Sequence, residues 1–216
     1  MTVPRFVSVI LDVDSTLCGI EGIDWLASRR GPEVAAAVAR LTERAMDGAI
    51  ALEAVYGERL ALVRPTSADV AALAQAYAGA LAPGARDAIF RLRGEGVALA
   101  LVSGGIRQAI RPLARELGFS DGSLHAVSVS FDESGQFAGY NTGSPFATQE
   151  GKKAAAAALG LPRPSLAVGD GATDAAMRAV TDAFAAFTAF VRREPVVKVA
   201  DYVLTSFREL TELVLP

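Results

Sequence analysis

Val9-Ile10-Leu11-Asp12-Val13-Asp14-Ser15-Thr16, close to the start of the chain, decides how the rest is read. From Phe6 to Leu11 the residues other than Ser8 are apolar or β-branched, over a length that suits a strand, and the run stops at two aspartates. A nearly unbroken apolar run suits a strand buried on both faces. Side chains at i and i+2 of a strand point the same way, so Asp12 and Asp14 converge where it ends. Two carboxylates placed so repel each other. They are tolerated if a cation lies near them or if one keeps a proton. A polar cap on a buried strand would look the same, so the discrimination rests with the remaining residues.

The 216 residues are enough for a full core and a second small domain. A composition of 51% hydrophobic and 21% charged residues is that of a globular chain. With a net charge of -3 there is no electrostatic case for a nucleic-acid partner or an anionic membrane. The single cysteine, Cys18, excludes an intrachain disulfide and fits a reducing compartment. The first residues lack the apolar stretch of a secretion signal, and no run reaches the roughly 20 apolar residues of a membrane span. The expectation is a cytoplasmic protein with a small-molecule partner; its oligomeric state stays open.

Between about Glu21 and Leu81 the pattern is helical and rich in alanine. Stripes at helical spacing are Val34, Ala37, Val38, Leu41, Ala45, then Leu52, Val55, Tyr56, Arg59, Val63, then Val70, Leu73, Ala74, Tyr77. Thr66-Ser67-Ala68-Asp69 reads as a capped helix start. After Pro83-Gly84 strands and helices alternate. Strands are expected at 97–102, 165–168, 183–187 and 201–204, with a helix interrupted or kinked at Pro112. Val127, Val129 and Phe131 alternate, Asp132 to Gly135 turns, and 137–140 returns, which predicts a hairpin. The alternation implies an α/β fold, a Rossmann-like doubly wound parallel sheet. A crossover from the first strand to the next needs only about 30 residues. About 85 separate Asp12 from Val97. The surplus is read as a helical cap, residues 18–81, inserted into a core of 1–17 and 82–216, with the hairpin as a small flap.

Open parallel sheets bind ligands at the carboxyl ends of their strands. Asp12 and Asp14 are delivered there by the first strand. Later strands bring Ser103-Gly104-Gly105 and Gly169-Asp170-Gly171-Ala172-Thr173-Asp174, and another helix opens near Gly151-Lys152-Lys153. Carboxylates, a hydroxyl, glycine-bared N–H groups and a lysine together make an oxyanion site with a cation. A phosphate fits it. Aspartates beside a phosphate dianion require a hard divalent ion, and Mg²⁺ takes one or two carboxylates, substrate oxygens and waters. With such an ion a carboxylate can attack phosphorus to give an aspartyl-phosphate. A second can protonate the leaving oxygen and then activate water.

In this order, DVDSTL, SGG after an apolar strand, GK opening a helix and GDGATD resemble the haloacid dehalogenase superfamily of phosphatases, most closely its phosphoserine phosphatases. The resemblance covers nearly the whole chain, cap included. It implies Asp12 as nucleophile and Asp14 as general acid and base, with Mg²⁺ held by Asp12, the backbone carbonyl of Asp14 and Asp170, and Asp174 supporting the metal. It implies that Ser103, Gly104 and Lys152 hold the phosphoryl group, with Thr173 nearby. Glu21 and Arg59 match the residues that read the serine moiety, Met46 lies in the same cap region, and Arg193 matches a further arginine near the site. The activity implied is hydrolysis of O-phosphoserine, a step of serine biosynthesis. Relatives of the same chemistry act on other small phosphomonoesters or pass the phosphoryl group to an acceptor alcohol. A phospho-receiver signalling domain is the rival from another class, against which the cap and the second aspartate argue.

Lys153 competes with Lys152, with spacing to Leu159 favouring Lys152, and Arg192 competes with Arg193. Arg59 stands where its stripe wants an apolar residue; the plainer explanation is an arginine snorkelling or pairing with a nearby acid. Glu21 would also suit a helix N-terminus. Asp47 occupies a position where these enzymes usually have Gly, and Leu52 one where they usually have Phe. Both bear on the substrate rather than on the phosphoryl chemistry. With one His and one Cys there is neither a zinc set nor a Ser-His or Cys-His pair.

Overall fold

The computed structural model describes residues 3–216. Its centre is a six-stranded parallel sheet of β1 (Ser8–Leu11), β2 (Ala98–Ile106), β3 (Leu124–Val127), β6 (Ser165–Gly169), β7 (Ala183–Phe187) and β8 (Tyr202–Leu204). Its order is β3-β2-β1-β6-β7-β8. A separate two-stranded antiparallel hairpin pairs β4 (Val129–Phe131) with β5 (Phe137–Tyr140).

The pleat sorts the core. Val9 and Leu11 point to one face and Ile10 to the other, and all three are buried. Val9 and Leu11 join Leu99, Leu101, Leu166 and Val168 in one apolar cluster. The helices α5 (Ala85–Gly94), α6 (Arg107–Glu116) and α10 (Phe207–Val214) contribute to that cluster. Ile10 joins Ala167, Phe184 and Ala186 on the opposite face, with residues of α7 (Gly151–Ala158) and α9 (Glu194–Val199). Apolar burial on both faces accounts for the continuous run in β1, each full-sized side chain contributing about 1.5–3 kcal/mol.

Between β1 and β2 lie α1 (Gly22–Ser28), α2 (Pro32–Met46), α3 (Leu52–Val63) and α4 (Ser67–Gly79). The expected box starts α4: Thr66 Oγ1 accepts from Asp69 N–H at 3.1 Å, and Asp69 accepts from Thr66 N–H at 2.9 Å. The two connections to the sheet run side by side, Gly19 N–H donating to Ala80 O at 2.8 Å and Ala82 N–H to Leu17 O at 2.9 Å.

Three expectations shift. The alternating stretch 127–131 is divided at Ser128, Val127 ending β3 beside Ile106 while Val129 starts the hairpin. Period-two alternation is the same for one strand and for two separated by a single residue, so pairing partners decide. β2 runs on through Ser103-Gly104-Gly105, and α6 starts only at Arg107. Pro112 does not interrupt α6, which continues to Glu116.

The winding direction reverses between β1 and β6. Successive strands step outward to β3 on one side and to β8 on the other, leaving a crevice at the carboxyl ends of β1 and β6. Asp12 follows one of these strands and Asp170 the other. Asp12 N–H donates to Val168 O at 3.0 Å, which ties them together.

Candidate active site

Three carboxylates, Asp12, Asp170 and Asp174, are buried at this crevice, and a fourth, Asp14, is half-buried beside them. One oxygen from each of Asp12, Asp170 and Asp174 lies within 4.8 Å of the others. Asp174 is carried by the short helix α8 (Ala172–Ala175), and its Oδ2 accepts from Gly171 N–H at 3.1 Å. Only glycine fits at 169, because a Cβ there would lie 2.2 Å from Asp174 Cγ. Asp14 turns its carboxylate away from the other three. Its Oδ1 accepts from Tyr77 OH at 2.6 Å and from Gly22 N–H at 3.0 Å.

Lys152, only 4% exposed, supplies the central positive charge. Its Nζ lies 2.8 Å from Asp174 Oδ1 and 2.7 Å from Asp12 Oδ1. The second contact is ionic but poorly directed, so Asp12 Oδ1 is buried with no hydrogen-bond partner. Lys153 points outward to Glu150 at 2.8 Å. Arg193 lies behind Asp170, its Nε 3.3 Å from Asp170 Oδ2, while Arg192 pairs with Glu194 at the surface. Thr16 Oγ1 donates to the other Asp170 oxygen at 3.3 Å.

The helical segment covers the crevice and leaves a small, partly enclosed cavity. Its lining includes Asp12, Asp14, Lys152, Asp170, Thr173 and Gly104 from below, and Glu21, Ile23, Met46, Leu52, Tyr56 and Arg59 from above. Arg193 is not part of this lining. Ser103 is buried beneath Gly104, and its Oγ accepts from Gly105 N–H at 2.9 Å. Arg59, 4% exposed, neither snorkels nor forms a tight pair: the nearest carboxylate, Asp24, is 3.7 Å away, and Arg59 Nε is unpartnered. Thr173 Oγ1 is also buried without a partner. Glu21 precedes α1 without capping it and accepts from Ser15 Oγ at 2.7 Å. Ser15 sits at a left-handed φ of 51°, which turns the chain from Asp14 back toward Glu21.

Two tyrosines belong to this arrangement although their positions look apolar in sequence. Tyr56 OH donates to Gly104 O at 2.8 Å, and Tyr77 OH to Asp14. A buried tyrosine needs a partner for its hydroxyl, which is the signal that its place in an apolar stripe conceals.

Burial, then the charge of Asp174, pushes Asp12 well above the ordinary carboxylate range. Burial raises Asp14 against the downward pull of the Tyr77 and Gly22 hydrogen bonds. Burial, then Asp174, lifts Asp170 to about 7, and burial, then Asp14, lifts Glu21 to about 8. Burial opposes the charge on Lys152, but Asp12 and Asp174 outweigh it and hold its pKa above the usual value. The cluster therefore has more negative charge than its own cations neutralise. Clustered oxygen donors and surplus negative charge fit a hard divalent ion.

These shifts set the sign of a pH dependence. Unfolded Asp and Glu lose their protons near pH 4, while folded Asp170 and Glu21 keep theirs to about 7 and about 8. The folded state binds more protons in between, so metal-free stability falls as pH rises through that window. Ion-paired carboxylates such as Asp69, lowered to about 2 chiefly by its Arg30 hydrogen bond, finish titrating below it. Thermal melting in chelator should drop by several degrees between pH 5 and pH 8. A flat or rising melting temperature would contradict the charge surplus.

Comparison with known proteins agrees with this geometry. A phosphoserine phosphatase of Rattus norvegicus is 35% identical over 206 residues, which cover 94% of this chain and 91% of that protein. A chloroplastic phosphoserine phosphatase of Arabidopsis thaliana is 34% identical over 208 residues, 94% of this chain and 70% of its own length. Among solved structures, a phosphoserine phosphohydrolase-like protein from Francisella tularensis superposes with a TM-score of 0.88 at 24% identity, covering 95% of this chain and 98% of that one. A substrate-bound phosphoserine phosphatase gives 0.80 at 22% identity over 97% and 99%. At these identities the structures speak for the fold. The family model for haloacid dehalogenase-like hydrolases matches residues 8–180, from β1 to the turn after α8, and this chain belongs to that family.

Proposed function

We propose that this chain is a phosphoric monoester hydrolase that converts O-phosphoserine to serine and phosphate through an aspartyl-phosphate on Asp12. The reading rests above all on one observation. Buried Lys152 bridges Asp12 and Asp174 at 2.7 and 2.8 Å, beneath a cavity whose lining includes the unpartnered donors of Arg59 and Thr173. The relatives named phosphoserine phosphatase support the choice of substrate.

Asp12, Asp170 and the backbone carbonyl of Asp14 would hold Mg²⁺, with Asp174 in support. When bound, the ion offsets the carboxylate charge and polarises the phosphoryl oxygens. Lys152, Ser103, Thr173 and the Gly104 N–H hold the phosphoryl group, and Asp12 attacks phosphorus. Asp14, its Oδ1 held by Tyr77 and Gly22, protonates the serine oxygen through its other oxygen and later takes a proton from the attacking water. Arg59 receives the substrate carboxylate through its planar fork, Glu21 its ammonium, and Met46 and Leu52 line the remaining space. An ammonium beside Glu21 favours the ionised carboxylate, opposing the upward shift that burial imposes. Residues 18–81 act as a cap that excludes water during attack, over a core of 1–17 and 82–216. The product places the enzyme in serine biosynthesis, and the single reduced cysteine supports a cytoplasmic setting. No described helix is long and apolar enough to cross a membrane.

A competition assay over small phosphate esters with Mg²⁺ tests the substrate. O-phosphoserine should show the highest kcat/KM. Preference for an ester lacking either the amine or the carboxylate would remove the roles given to Glu21 and Arg59. Phosphoryl transfer to an added alcohol in preference to water would make the enzyme a phosphotransferase.

A further inference from the structure

Asp47 lies outside the cavity lining, and the proposed reaction does not use it. It ends α2, and its carboxylate, 40% exposed, lies 3.4 Å from Arg193 Nη1. The same guanidinium, 8% exposed, reaches Asp170 Oδ2 through Nε at 3.3 Å. One planar fork therefore spans a carboxylate of the cavity floor and a carboxylate of the helical segment. The corner that carries Asp47 rests on the turn after Asp170. A Cβ at Gly171 would meet Met46 Sδ at 3.0 Å, and one at Gly48 would meet Ala172 at 3.3 Å. In this seated position Asp47 reaches Arg193.

With the corner seated, Arg193 divides its charge between two carboxylates. With the corner lifted, Asp170 is the remaining carboxylate within ion-pair distance. The whole charge of the guanidinium then bears on a carboxylate that a cation also needs. We propose that Asp47 is a positioning residue that, through Arg193, couples docking of the α2 corner to cation binding at Asp12, Asp170 and Asp174. This rests on the metal site of the proposed function. The coupling is reciprocal: the seated corner tightens cation binding, and the cation holds the corner down. Partial exposure of the Asp47 end puts the effect at the low end of such couplings, about fivefold in affinity.

The test compares wild type, Asp47→Asn and Glu43→Gln by calorimetric titration with Mg²⁺ and by amide hydrogen exchange over residues 44–50. Glu43 is exposed on α2 about one turn earlier, so its replacement removes the same charge without touching the bridge. Asp47→Asn should bind Mg²⁺ about fivefold more weakly and lose the Mg²⁺-dependent slowing of exchange, while Glu43→Gln keeps both. Asp47→Asn behaving as wild type, or Glu43→Gln matching Asp47→Asn, overturns the coupling. Phosphoserine turnover by the wild type, followed in parallel, separates the two ideas. Coupling without turnover sinks the substrate reading alone, and turnover with an unaltered Asp47→Asn sinks the coupling alone.

Discussion

Asp12→Asn is expected to abolish phosphoserine hydrolysis, with kcat falling on the order of 10⁴-fold or more. An amide keeps the shape of the side chain but is too weak a nucleophile to form the covalent bond to phosphorus. Wild type incubated with labelled substrate should carry a hydroxylamine-sensitive phosphoryl label, and the variant none. The same substitution should raise the melting temperature of the metal-free protein near neutral pH. It removes one of three clustered carboxylates, where burial and then the charge of Asp174 hold Asp12 above its ordinary range. Lys152 keeps its partner Asp174 at 2.8 Å, so no buried cation is orphaned. Loss of activity with a gain in metal-free stability is the signature of a residue placed for chemistry at the expense of the fold. Hydrolysis persisting above about one per cent of wild type would remove Asp12 from the nucleophile role.

Arg59→Ala should carry the second largest effect, and its selectivity matters more than its size. Arg59 is buried at the cavity wall with an unpartnered Nε and a carboxylate no nearer than 3.7 Å. That geometry leaves most of its fork for a ligand. Losing a buried charge-assisted contact typically costs 2–5 kcal/mol, so kcat/KM for phosphoserine should fall by about 10²-fold or more. For an aryl phosphate without a carboxylate the loss should stay within about tenfold, because the proposed phosphoryl contacts, from Lys152, Ser103 and Thr173, do not involve Arg59. Melting curves of the variant check that α3 still packs. Equal losses on both substrates would make Arg59 a structural residue.

The two substitutions probe different parts of the site, and those parts were not equally legible in the sequence. The floor was legible because its signals are local. An apolar run ending in Asp12-Val13-Asp14, a second ending in Ser103-Gly104-Gly105 and a third ending in Gly169-Asp170 each announce a strand delivering polar groups at its carboxyl end. The roof was less so. Tyr56 and Tyr77 lie in apolar stripes, and only the partners of their hydroxyls, Gly104 and Asp14, distinguish them from ordinary core residues. Arg59 broke its stripe and could be singled out, but whether it met solvent, an acid or an empty cavity depended on what α1 and α2 placed around it. The strand β3 was hidden because its residues alternate in register with those of the hairpin.

By itself the sequence determined the alternating α/β pattern, the inserted helices and the acidic, hydroxyl and lysine groups at the strand ends, since each follows from residue type and spacing within a few turns of chain. The tertiary structure decided the strand order, which sets Asp12 beside Asp170, and it decided which of each neighbouring pair faces inward. Lys152 is buried between Asp12 and Asp174 while Lys153 meets Glu150, and Arg193 reaches Asp170 and Asp47 while Arg192 stays outside. Lys152 and Lys153, adjacent on α7, differ by about 100° in direction, while Arg192 and Arg193 lie in the extended segment that leads into α9. Spacing to Leu159 favoured Lys152, but the burial of one member of each pair is set by what packs against it from distant parts of the chain.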